Sequence, residues 1–233
     1  MDHVLPGGGY VPGSVVEYLR ASSGCGASYL ALTAAAAALR NSPEKYLVMV
    51  DTAHQFYPPA LLSHQIDLQR VIWVRPQSHS DAVWATDQAL RTMAVAVVVA
   101  DLETLDERDA RRLQLAAQRG GNLGLLLRGL SARRMPSWAE VQWVVRSLPT
   151  CGSMVLSTRA SAAGQMLRRF EVTLARVRGG RAGARMRLDV DSHHGHLHLV
   201  ASEQQAAPSR KTNKPRQAQA SRQAQASRQA QAS

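Results

Sequence analysis

With 233 residues, 28 basic against 17 acidic side chains and a formal charge of +11, the chain can bury one substantial core. Two cysteines without CxxC spacing exclude a disulfide scaffold and a zinc finger, and the most apolar run, MAVAVVVADL, is too short to cross a bilayer. Six of the basic residues and no acidic ones fall in 204–233, so the remainder keeps 22 basic against 17 acidic residues; only three of the 28 are lysines.

In chain order, residues 14–19 form a first apolar run, followed by the small-residue stretch ASSGCGAS and an alanine-rich helix over 29–39. YLVMVD is a continuously apolar strand closed by an acid. The prolines of DTAHQFYPPALLSHQ predict a loop and then a helix from about Pro59. RVIWVRP is a third strand, residues 80–91 a helix, VAVVVADL a fourth strand, LDERDARRLQLAAQRG a helix stopped by glycine, and LGLLLRG a fifth strand. This alternation predicts an α/β fold with a mainly parallel central sheet flanked by helices. Beyond Gly129, AEVQWVVRSLP, RRFEVTLARVR, ARMRLDVD and HLHLVA are strand-like and separated by turns, which predicts an antiparallel C-terminal extension. Residues 1–203 read as one core domain. RQAQAS occurs three times in 216–233, and 204–233 read as a disordered basic tail, either attracted to DNA or the product of coding-sequence slippage.

A phosphate loop needs G-x-x-x-x-G-K-[ST], so that backbone N–H groups wrap the phosphates, lysine neutralises them and the hydroxyl holds magnesium. In ASSGCGAS, Gly26 takes the second glycine position and Ser28 the hydroxyl position, but Ala27 stands where lysine belongs and Ala21 where the first glycine belongs. Ser23, Gly24, Gly26, Ala27 and Ser28, with Asp101 after the fourth strand, form a degenerate cofactor site expected to be empty. Asp101 is either a magnesium-directing acid or a cap for the next helix. Arg20 is placed on the wrong side of the loop to rescue the charge. No catalytic residue, metal ligand or cofactor is assigned; His193, His194, His196 and His198 read as surface or sheet packing rather than a metal site.

The order of pieces resembles the RecA recombinase core over about residues 5–200. PGSVVEYLRASSGCGASYLAL is similar to its phosphate-loop region, YLVMVDTAHQFYPPAL to its second strand and following helix, VAVVVADL to its Walker B strand, and FEVTLARVR with ARMRLDVD to its late antiparallel strands. The resemblance implies that the water-activating glutamate, just before a histidine in that family, falls on Ala53, ahead of His54. Within the superfamily, SWAEVQWVVRSLP and RRFEVTLARVRGGRAG resemble ImuA-type accessory proteins of bacterial translesion DNA synthesis, also labelled SulA-like. That resemblance implies a non-enzymatic, ATPase-deficient part of an SOS-induced mutagenesis assembly. Its implied partners are an inactive Y-family polymerase relative of the ImuB type and an error-prone replicative-type polymerase, with RecA and weak non-specific DNA contact as further ones. The alternatives are a weak nucleotide-dependent switch and a DNA-binding or recombinase-regulating module.

Two arginine groups are candidate DNA or partner contacts: Arg128, Arg133 and Arg134 after the fifth strand, and Arg176, Arg178, Arg181, Arg185 and Arg187 around RGGRAG. They would meet phosphates or the acidic side chains of a protein partner. The first residues, MDHVLPGGG, lack the pattern of a secretion signal, and a soluble cytoplasmic protein without membrane contact is expected.

Overall fold

In the computed structural model, residues 4–149, 167–191 and 197–203 are described. One nine-stranded sheet holds all the described strands, in the order β3-β2-β4-β5-β1-β6-β7-β8-β9. The first six in that order run parallel: β3 (Val71–Val74), β2 (Tyr46–Val50), β4 (Val95–Asp101), β5 (Leu123–Gly129), β1 (Val15–Arg20) and β6 (Val141–Leu148). β7 (Leu167–Val177), β8 (Arg185–Asp191) and β9 (Leu197–Glu203) add antiparallel to β6. The fold is therefore a mixed α/β fold with a largely parallel core sheet and antiparallel C-terminal strands.

Helices cover β1, β2, β4 and β5 on both faces, which is why those strands are mostly apolar. α1 (Ala27–Arg40) packs on one face, where Leu30, Ala31, Ala35 and Leu39 join Val16, Tyr18, Val97, Leu125 and Trp143 in the larger core. α2 is a single short turn, Pro59–Ser63, because Pro58 and Pro59 delay its start and His64 ends it. α3 (His79–Arg91) and α4 (Glu107–Gly120) pack on the opposite face over Val15, Val48, Val98 and Leu126. Ser78 caps α3 by accepting from the Asp81 N–H at 3.1 Å, and Asp106 caps α4 by accepting from the Asp109 N–H at 2.7 Å. α1 begins two residues before the periodicity predicts, since the left-handed Gly26 turns the chain directly into it.

The antiparallel strands pack against the larger core by one face. Val172, Leu174, Met186 and Leu188 face the α1 core, and the alternate residues face away from it. The short 3-10 turn Leu130–Arg134 covers part of that second face, where Leu130 and Ala132 meet Leu19, Val144 and Ala175. The RQAQAS repeats, Cys151, and His193, His194 and His196 lie outside the described residues. Among the described residues no helix is long and apolar enough to cross a membrane.

Candidate functional site

In an open parallel sheet, ligands bind at the carboxyl ends of the strands where the chain order reverses. That edge carries a cleft. A cavity of about 400 Å³ is lined by Arg20, Gly24 to Tyr29, His64, Arg168 and Phe170. A second, of about 260 Å³, reaches past Asp51, Phe56 and Asp101, and a third, of about 440 Å³, lies among Thr52, Ala53, His79, Asp101 and Glu103. Ser28 lines the first and second, and Arg20 borders all three.

The Arg20 side chain decides the electrostatics of the cleft. Its two terminal nitrogens donate to the two Asp101 carboxylate oxygens, each at 2.8 Å, and Nη2 also donates to Glu103 Oε2 at 2.5 Å. β5 lies between β1 and β4, so this fork spans the end of an intervening strand. The bridge fits because β5 ends in Gly129: a Cβ there would lie 2.0 Å from Glu103 Oε1. Burial alone would lower the Arg20 guanidinium, and the hydrogen bonds and charges of Asp101 and Glu103 outweigh it, holding the group above its ordinary range. Two sequence expectations are corrected here. Arg20 points into the cleft rather than away from it, and Asp101 spends both carboxylate oxygens on that arginine instead of facing a metal or capping α4, a role Asp106 takes.

The loop before α1 places Ser23 and Gly24 on the surface and Gly26, at φ 90°, against the Phe170 ring. The first intrahelical bond runs from the Leu30 N–H to the Gly26 carbonyl, so the N–H groups of Ala27 and Ser28 have no partner within the helix. No cation stands on Ala27. After β2, Asp51 is buried and accepts from the N–H groups of Gln55 and Phe56, so that acid builds a turn. Ala53 is exposed at the third cavity, with a methyl group where a water-directing carboxylate would stand. These residues do not fit a magnesium-bound triphosphate: the acid is already neutralised by an internal cation, the loop cation is missing and an aromatic ring is packed on the loop glycine. Among the described residues no group of three or more His, Cys, Asp and Glu is placed to hold a metal ion.

Arg128 is the clearest correction. It is fully buried, donating to Glu17 Oε1 at 2.8 Å and to the Leu105 carbonyl at 3.1 Å, and it reaches neither DNA nor a partner. Glu17 is also buried, and its other oxygen accepts from Gln142 at 2.8 Å and Ser137 at 3.1 Å. The signal was available in VVEYL and LGLLLRG, where each buried run contains one lone charge, of opposite sign. Arg133, Arg134, Arg176, Arg178, Arg181, Arg185 and Arg187 are exposed as expected. Arg176 donates to the Ser137 carbonyl, and Arg178 lies 3.6 Å from Glu140. Arg146, missed in the sequence, joins this face because Glu171 pairs with it across β6 and with Arg187 across β8.

No protein-family model matches the chain. Over 158 residues it is 28% identical to the protein ImuA of Caulobacter vibrioides, covering 64% of this chain and 62% of that protein. Over 96 residues it is 30% identical to the cell division inhibitor SulA of Photorhabdus laumondii, covering 41% of this chain and 54% of that protein. The chain thus spans just over half to about three fifths of the length of these curated relatives. Among solved structures, SulA from Pseudomonas aeruginosa superposes with a TM-score of 0.41 at 21% identity, over 48% of this chain and 96% of that one. These are weak, partial similarities to ImuA and SulA proteins.

Proposed function

We propose that this chain is a RecA-like accessory protein of SOS-induced translesion DNA synthesis that works without hydrolysing nucleotide. It binds an inactive Y-family polymerase relative and, through it, an error-prone replicative-type polymerase. The observation that carries the nucleotide-independent part is the Arg20 fork on Asp101 and Glu103, which satisfies the cleft's acids from within the chain. The similarity to ImuA over 64% of the chain supports the assembly part.

Co-purification of the full chain with the inactive polymerase relative, with and without magnesium ATP, tests the proposal. A complex of equal yield in both conditions is expected. Absence of a complex in either condition overturns the accessory role, and a complex that forms only with nucleotide overturns the independence from ATP. The second reading, a weak nucleotide-dependent switch, is favoured by the 400 Å³ cavity beside the loop. Saturable ATP binding in the micromolar range would support it.

A further inference from the structure

The second face of β6, β7 and β8, turned away from α1, carries a run of arginines that no α-helix among the described residues covers. Along β8, Arg185 and Arg187 are two residues apart on this face, a spacing of about 7 Å. Two strands away, Arg146 on β6 aligns with Arg187 through Glu171, at about 10 Å by the usual strand spacing. Arg176 enters the same face beside the irregularity at Gln142 and Trp143, and the 3-10 turn brings exposed Arg133 and Arg134 to its border. The acids here are Glu171; Asp189, which is held in a two-pronged pair with Arg169 at 2.7 and 2.8 Å; Asp191, two residues further along β8; and Glu203, which the register sets opposite Arg185 on β9. Against these four acids stand Arg133, Arg134, Arg146, Arg169, Arg176, Arg185 and Arg187, so the face keeps a positive excess.

We propose that this face binds the phosphate backbone of a nucleic-acid strand. The chemistry favours a nucleic acid over an acidic protein segment for two reasons. A protein interface draws its energy from a central aromatic or aliphatic anchor, and the apolar side chains nearest this face, Leu19, Val144 and Ala175, are already covered by Leu130 and Ala132. A phosphate chain needs only repeated positive donors, and guanidinium forks spaced along and across strands supply them. No aromatic side chain stands on this face in β6, β7 or β8, so base stacking has no platform and binding is independent of sequence. The surface is separate from the Arg20 cleft and does not rest on the polymerase contact.

The test uses the full chain and a labelled oligothymidylate in fluorescence anisotropy across about 50–200 mM salt. A triple variant, Arg146→Gln, Arg185→Gln and Arg187→Gln, is compared with a control that removes the same charge elsewhere, Arg40→Gln, Arg108→Gln and Arg119→Gln, all exposed positions. Both retain the 204–233 segment and are checked for unchanged urea midpoints. Expected for the face variant is a loss of about tenfold in affinity and a salt slope shallower by about 2, at roughly 0.7 per lost phosphate contact. The control should stay within about twofold. Equal losses in both, or no loss in the face variant, overturn the proposal, as does displacement of the oligonucleotide by polyglutamate at equal charge concentration. Retained co-elution of the face variant with the polymerase relative separates this result from the proposed assembly role.

Discussion

Phe170 on β7 closes over Gly26 at the start of α1 so tightly that a methyl group on Gly26 would lie 2.5 Å from the ring's Cε1. Gly26 also has φ 90°, a backbone conformation that side-chain-bearing residues avoid. The late antiparallel strands therefore reach back to the loop that a nucleotide-binding protein would keep open.

Gly26→Ala should destabilise the fold by about 1–3 kcal/mol, from backbone strain and the forced shift of the ring. Combining it with Phe170→Ala relieves the clash and leaves the strain. Urea unfolding of the four members of this cycle should give a double loss smaller than the sum of the single ones. Strict additivity would mean the ring yields at no cost.

Removing the cation from the cleft exposes Asp101 and Glu103 to each other. Arg20→Ala should lower stability by about 1–2 kcal/mol, a moderate figure because the guanidinium is 22% and Glu103 63% exposed. Arg20→Lys cannot reproduce the two-pronged geometry and should recover only part of it. Thermal melts of the three proteins provide the measurement.

The buried pair of Glu17 and Arg128 behaves differently, since each side chain is 1% exposed. Arg128→Met leaves a carboxylate buried without its cation and should cost about 3–5 kcal/mol. Adding Glu17→Met removes that carboxylate, and the double variant should be more stable than Arg128→Met alone. A double variant less stable than the single one would show that Gln142 and Ser137 depend on Glu17 more than Arg128 does.

Among the described residues, His64 and Asp87 contribute to the pH response from acid to neutral pH, with the same sign in separate windows. Burial lowers the His64 imidazole below its ordinary value of about 6.5. The unfolded chain then binds more protons, and stability falls as pH drops from neutrality through that value, levelling off below the folded one. Burial of Asp87 alone would raise its carboxyl, but hydrogen bonds from Arg91 at 2.9 and 3.0 Å and Arg112 at 3.1 Å prevail and hold it below its ordinary range. Its contribution is complete above that ordinary range and is lost as pH falls through the depressed value. His64→Gln should flatten the upper window of a stability–pH curve and leave the lower one; Asp87→Asn should do the reverse.

The strands were legible because parallel strands covered on both faces must be apolar throughout, as in YLVMVD and VAVVVADL. The antiparallel extension was legible from the alternation in ARMRLDVD. Side-chain pairing across strands was not. Arg20 meets Asp101 only because the sheet order sets β1 and β4 on either side of β5, and 81 residues of chain separate the two. Arg128 read as a surface charge because Arg133 and Arg134 come closely after it, yet it belongs to the buried strand and they belong to the turn beyond. Arg146 was missed because its face depends on the register of β6 against β7.

The position of β1 also makes the molecule indivisible. Val16 to Arg20 bond to β5 on one side and β6 on the other, so the earliest strand is the seam between the β3-β2-β4-β5 half of the sheet and the β6-β7-β8-β9 half. A fragment ending after β5 would leave that seam as a raw sheet edge, open to aggregation. A chain nicked between β6 and β7 would have both pieces held by the long β6–β7 ladder, and would be released as two peptides only on unfolding.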